Sequence, residues 1–271
     1  MTEALLREYR PGDAPALISL WCRVFGDPEA LPSCFLQLLP ELGSGVVAEL
    51  GGELAGAAYI VDALELVHAD GSSRRCAYLY AVSVEERFRG LGLGAAVTQS
   101  ASALGKERGA DFVCTLPADR GLYNFYEKQI GVRCALRRDK RTLPARPGEK
   151  PLPLSAADYL RRREALLQGC CHQRLSLAAM AFEENNCRLS GGGLFAVGQG
   201  LAAAYLADGR CVLRELLSPD PAKREDLAAA VGYALSCDQV LLYTPALAGE
   251  PYLAAPEGCI PADCVWGLAF D

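Results

Sequence analysis

A chain of 271 residues with 51% hydrophobic content holds enough apolar material for one large domain or two ordinary ones. Its 33 acidic and 27 basic residues give a net charge of −6, without the basic excess that binding to a phosphate backbone requires, so no nucleic-acid partner is expected. No apolar run approaches the ~20 residues of a membrane span, and the opening "MTEALLREYRPGDAPAL" has neither the basic head nor the apolar stretch of a signal peptide; the expectation is a cytoplasmic protein with no membrane partner.

From the N-terminus, residues 13–24 place Ala16, Leu17, Leu20, Trp21 and Val24 on one helical face, and a second helix is read near Pro32 to Leu39. The period then changes to two. "GVVAEL", a turn at Gly51 and Gly52, "LAGAAYIVDALELV", a polar "HADGSSRR" turn and "CAYLYAVSV" read as consecutive antiparallel strands. A glycine-rich segment follows, "EERFRGLGLG", then a helix to about Arg108, a strand "DFVCTLPA", a short helix "GLYNFYEKQ" and a strand from about Gly131. Proline and charge interrupt the pattern in "RRDKRTLPARPGEKPLPLSAADY", which reads as a linker.

Beyond it the chain echoes its first half. "GVVAELGGELAGAAYI" is matched by "GLFAVGQGLAAAYL", the strand "CAYLYAVSV" by "CVLRELLSP", and "FVCTLPA" by "LLYTPA". The expected organisation is therefore mixed α+β, with two related units at residues 1–145 and 146–271. The copies differ where the first has "RFRGLGLG" and the second has the glycine-free "PAKREDL". The twelve cysteines scatter singly through apolar stretches, as reduced small hydrophobes do, and the pairs Cys170 with Cys171 and Cys259 with Cys264 lack CxxC spacing. No metal site is expected.

Gly90, Gly92 and Gly94 stand where a strand gives way to a helix. A helix N-terminus offers unbonded N–H groups and partial positive charge, and glycines let a bulky diphosphate approach the backbone. Arg89 adds a charged donor. Read alone, the glycines also fit a flexible turn with tight packing. The missing Gly-Lys-Ser/Thr excludes a Walker loop, and the preceding antiparallel strands disfavour a dinucleotide fold.

"VSVEERFRGLGLGAAV" resembles motif A of the GCN5-related N-acetyltransferases (GNAT), whose Gln/Arg-x-x-Gly-x-Gly/Ala signature falls on Arg89, Gly92 and Gly94. "LYNFYEKQIGV" is similar to the family's motif B, with one extra residue between Tyr126 and Gly131 and valine for the usual aromatic at 132. The resemblance covers about residues 3 to 140. It implies acetyl-CoA as co-substrate, with Val82, Ser83 and Val84 offering backbone to the pantetheine arm and Arg89, Gly90, Leu91, Gly92, Leu93, Gly94 and Ala95 cradling the pyrophosphate. An intact unit followed by a related one without the phosphate loop resembles the tandem acetyltransferases of the enhanced intracellular survival type, without their sterol-carrier-like domain.

The chemistry so implied is transfer of an acetyl group to a primary amine of a small molecule or peptide. Tyr126 holds the family position of the acid that protonates the departing thiolate, and Tyr123, one helical turn earlier, competes for the role; a packing role is the plain alternative for either. A backbone N–H near Val82 is expected to meet the oxyanion. No glutamate lies on "CAYLYAVSV", so the base is left to water, a distant carboxylate or the terminal Asp271. Trp21 and Phe25 border the acceptor pocket by resemblance, with core packing as the alternative, and His68 falls in a polar turn. A non-catalytic acyl-CoA sensor on the same fold is the alternative function, and an aminoacyl transferase using a tRNA-linked donor is disfavoured by the intact loop. The sequence sets neither the acceptor nor the oligomeric state.

Overall fold

The structure, a computed structural model, describes residues 4–269; Asp271 lies outside the described residues. In chain order the elements are β1 (Leu5–Glu8), α1 (Ala14–Phe25), α2 (Ala30–Leu42), β2 (Gly43–Leu50), β3 (Glu53–Val67), β4 (Ser73–Val84), α3 (Leu93–Glu107), β5 (Phe112–Cys114), α4 (Arg120–Ile130) and β6 (Arg133–Pro144). They continue with β7 (Leu152–Pro153), α5 (Ala156–Leu166), β8 (His172–Leu175), α6 (Leu177–Leu189), β9 (Gly193–Val197), β10 (Gly200–Ala207), β11 (Arg210–Leu217), α7 (Arg224–Ala234), β12 (Gln239–Ala246) and β13 (Glu250–Ala255).

The chain divides into two units. The first takes the residues up to Leu66, Arg74–Ala135 and Tyr252–Ile260; the second takes Val67–Ser73, Leu136–Pro251 and the residues from Pro261 onward. This partition is not a single cut after residue 145. Residues 252–260 are tied into the first unit by Ala254, whose N–H donates to Thr115 O at 2.8 Å and whose carbonyl accepts from Thr115 N at 2.9 Å.

In the first unit the strand order is β1-β2-β3-β4-β5. Strands β1, β2 and β3 pair antiparallel, and β4 with β5 in parallel. One face of this sheet packs on α3 and α4 through Val46, Ala58, Ile60, Ala77 and Leu79 against Leu93, Val97, Ala101 and Tyr126. A second set of rings gathers around Trp21 of α1, whose centroid lies 5.4 Å from Phe35, 5.8 Å from Tyr59 and 5.4 Å from Tyr80. Helix α1 buries Leu17, Leu20 and Trp21, as its apolar spacing requires, and stops at Gly26, left-handed at φ +77°, whose N–H returns to Cys22 O at 3.0 Å.

The second unit repeats the pattern. Strands β9, β10 and β11 are antiparallel, and β11 pairs in parallel with β12, Cys211 opposite Val240, as Cys76 stands opposite Phe112 in the first unit. Strand β6 extends this sheet beyond β12, and the linker reading needs correction here: residues 137–144 form an unbroken antiparallel ladder with 246–239. The segment shows no apolar period because its strand carries charges held by partners. The Arg138 guanidinium lies over the Tyr243 ring at 3.9 Å, and Arg141 pairs with Glu225.

Under the second sheet sits a buried polar group. Arg163 of α5, fully buried, forks onto Glu215 of β11 with contacts of 2.9 to 3.1 Å, and donates to Gln173 O at 2.5 Å. The Tyr159 hydroxyl donates to Glu215 at 3.0 Å, and burial pushes that phenol well up from its ordinary value. Each member satisfies another, which is the condition for tolerating such charges in a core.

Candidate active site

The site begins in the phase of β4. Ala77 and Leu79 point into the core cluster beneath α3, while Tyr80 faces the rings of Trp21 and Phe35. At Ala81 the backbone turns left-handed, φ +47°, in a residue that is not glycine. Beyond it Val82 and Val84 pack on the α3 side, and Ser83, buried, turns the other way, its hydroxyl 3.5 Å from Ala57 O. One residue has been inserted into the alternation, which is a β-bulge: odd residues face α3 before it and even residues after it.

At the same level β4 loses its neighbour. The parallel ladder with β5 ends at Tyr78 opposite Cys114. Thr115, the next residue, donates its hydroxyl to Leu79 O at 2.9 Å and turns its backbone to Ala254. Among the described residues no strand covers the β5 side of β4 from there to Val84. A strand edge without a neighbouring strand can offer backbone N–H and C=O groups to a ligand, and Val82, Ser83 and Val84 lie on this stretch of β4.

The loop after β4 carries the chain into α3. Glu85 N–H is held by Ala55 O at 2.9 Å, a 3-10 turn spans Glu86–Phe88, and Gly90 and Gly92 both take φ +81°. Only glycine adopts that conformation without strain. Gly92 is the N-cap of α3 and brings no side chain to it; the first N–H bonded back along the helix is that of Ala96, to Gly92 O at 3.1 Å. Residues 92–95 therefore have N–H groups without helical acceptors. A Cβ built on Gly90 or Gly92 would meet no atom within 4 Å, so the space over the loop is open.

The seven loop residues are not equivalent. Leu91 is 62% exposed, Leu93 is buried beneath the loop, and Gly94 has an ordinary backbone from which a Cβ would only touch Val84 Cγ2 at 3.7 Å. The Arg89 side chain lies on the exposed side, its Nε 3.4 Å from Val84 O.

Helix α4 is started by Asp119, whose carboxylate accepts from the N–H groups of Gly121 at 2.7 Å and Leu122 at 3.1 Å. It places Tyr126 in the α3 core cluster, edge-on to Phe125 at 5.1 Å. Burial, and secondarily the Asp119 charge, push the Tyr126 phenol up to about 12, so it stays protonated at neutral pH and can donate but not accept a proton. Tyr123 packs half-buried on the same cluster. Gly131 ends the helix at φ +71°, and Val132 enters the core fully buried.

No carboxylate joins this end of β4 from the strand itself. Glu85, just past it, is ion-paired with Arg23 at 2.5 Å, and that guanidinium holds its carboxyl below the ordinary range. Asp27 accepts the Trp21 indole N–H at 2.7 Å. Among the described residues no group of three or more His, Cys, Asp or Glu could hold a metal ion, and no helix is long and apolar enough to cross a membrane. Sequence reasoning missed two participants, Ala81 and Thr115. Neither residue type announces a bulge or a strand fork.

Residues 14–132 match the model of the acetyltransferase (GNAT) family. Among solved structures, the chain is similar to a GCN5-related N-acetyltransferase from Kribbella flavida, at 15% identity and TM-score 0.69 over 94% of this chain and 71% of that one. A GCN5-related N-acetyltransferase from Anabaena variabilis matches at 14% identity and TM-score 0.69, over 93% and 72%. Eis1 from Mycobacterium abscessus matches at 16% identity and TM-score 0.60, over 92% and 73%. At these identities the likeness is one of fold. No curated protein matches the chain.

Proposed function

From the match of residues 14–132 to the GNAT acetyltransferase family model, we propose that the chain is an acetyl-CoA-dependent N-acetyltransferase acting on a primary amine of a small molecule or peptide. The observation that carries the reading is the loop at the end of the bulged strand. Two left-handed glycines, with nothing over their Cβ directions, lead into a helix N-terminus. That is a cradle which side chains would fill and a diphosphate fits.

When bound, acetyl-CoA supplies an activated acetyl group on sulfur. The chain's own residues bind and orient it. N–H groups of Gly90 to Ala95 and the Arg89 guanidinium meet the diphosphate, and the open edge of Val82 to Val84 meets the pantetheine arm, as a strand would. Tyr126, protonated and desolvated, donates its proton towards the sulfur as the thiolate leaves; Tyr123 is the second candidate for that step. The amine loses its proton to water or to a carboxylate outside β4.

In this proposal catalysis belongs to the first half of the chain, residues 1–145, with which residues 252–260 pack. The second half, 146–271, is its degenerate relative: the turn after β11 is Pro221–Lys223, without glycine, so one acetyl-CoA per chain is expected. We place the enzyme in the cytoplasm. The test is release of free thiol from acetyl-CoA across a panel of primary amines, beside calorimetric titration with CoA. Thiol release that depends on an amine supports the enzyme; binding at one site per chain with no release from any amine assigns the chain to acyl-CoA sensing instead, and absence of binding defeats both.

A further inference from the structure

We infer that Thr115 is a positioning residue for the acyl donor: it fixes the branch point at which β5 parts from β4 and so sets where the open edge of β4 begins. The inference rests on the proposed acetyl-CoA cleft and adds a residue and a segment to it.

Two strands that have paired in parallel over Cys76–Tyr78 and Phe112–Cys114 have no reason of their own to stop. Continuing the ladder would satisfy more backbone groups. The chain stops it at Thr115 by meeting both strands' requirements elsewhere. The Leu79 carbonyl, next in line on β4, takes the Thr115 hydroxyl at 2.9 Å in place of a backbone N–H. The Thr115 N–H and carbonyl, next in line on β5, are both taken by Ala254, at 2.9 and 2.8 Å. Thr115 is 3% exposed and Ala254 fully buried, so water is a poor substitute for either bond, and a group left unpaired there is costly. The side chain binds one strand while the backbone binds the other side. Two residues further along β4 comes the Ala81 bulge, and after it the edge assigned to the pantetheine arm.

Loss of the hydroxyl leaves the Leu79 carbonyl to seek a donor. The donors at hand are the β5 backbone, which would narrow the fork, or the amides of the acyl donor itself, which would draw it out of register. Either outcome weakens productive binding more than it affects the proton transfer at Tyr126. Serine at 115 keeps the hydroxyl and the backbone bonds.

The experiment compares wild type, Thr115→Val and Thr115→Ser in CoA titration, thiol-release kinetics and thermal melting. Thr115→Val is expected to weaken CoA binding and raise KM for acetyl-CoA by about tenfold with kcat changed by less than about threefold, as for one buried hydrogen bond. Thr115→Ser is expected to bind CoA as wild type does. Wild-type affinity and KM in a folded Thr115→Val, or a tenfold loss of affinity in Thr115→Ser, overturns the inference. If Thr115→Val does not fold, the serine variant alone decides. A wild-type protein that binds no CoA overturns the proposed cofactor cleft itself, a result read before any variant is made.

Discussion

Gly92 and Gly26 provide a matched pair for testing the diphosphate cradle. Both lie in the first unit at helix ends, at φ +81° and +77°, and at both an added Cβ would meet nothing within 4 Å. Alanine therefore suffers the same backbone penalty at each. Left-handed conformation costs a non-glycine residue ~1–2 kcal/mol, and the lower entropy of the unfolded alanine chain returns ~0.4–1 kcal/mol. The expected net loss is about 1 kcal/mol for either variant, a Tm decrease of roughly 2–4 °C on a chain of this size. The two must differ in binding. At Gly92 the new methyl occupies the space through which the diphosphate reaches the α3 N-terminus, so Gly92→Ala should lose at least about tenfold in CoA affinity, or ~1.4 kcal/mol. Gly26→Ala should lose none. Calorimetric titration with CoA and thermal melts read both quantities. Equal CoA affinity in the two variants, in either direction, would refute the assignment of the loop.

Arg89→Glu should weaken CoA binding with little change in Tm, because the side chain is exposed and its contact to Val84 O is long, 3.4 Å; unchanged affinity removes Arg89 from the site. Tyr126→Phe keeps the buried ring, so CoA affinity should hold while kcat falls by ~10²–10⁴; if Tyr123→Phe shows that loss instead, the acid is Tyr123. Since the phenol is raised from an ordinary value of 10 to about 12, its neutral form is favoured by folding. Its contribution of ~3 kcal/mol is complete below pH 10 and is lost as pH rises towards 12, so denaturant titrations at pH 9 and 11.5 should differ less in Tyr126→Phe than in wild type. Glu215→Ala strands the Arg163 charge in the core and should cost about 3–5 kcal/mol, while replacing both partners with Met and Leu should recover much of the loss; a single variant as stable as wild type would deny the pair its role.

The meander was legible because β2, β3 and β4 alternate or run apolar between glycine and polar turns. The loop was legible because positive φ at Gly90 and Gly92 leaves few other residues to choose from. The Ala81 bulge was not, since alanine is an unremarkable strand residue and nothing in its type signals a φ of +47°. The start of β6 was legible near Gly131, but its part from Arg137 onward reads as linker because Arg137 to Arg141 hide the alternation under charge, and its ladder with β12 is long-range. The role of Thr115 depends on Ala254, and nothing local in "DFVCTLPA" points there.

Residues 252–260 in the first unit also bear on how the protein is made. On a ribosome the chain appears from its N-terminus, yet the backbone partners of Thr115 do not exist until Ala254 has been synthesised. Until then the β5 end lacks its second neighbour, and the nascent first unit carries an unpaired edge while the intervening residues emerge. Contacts of such high sequence separation form slowly. The fork beside the proposed cofactor cleft is thus completed only once Ala254 has been made.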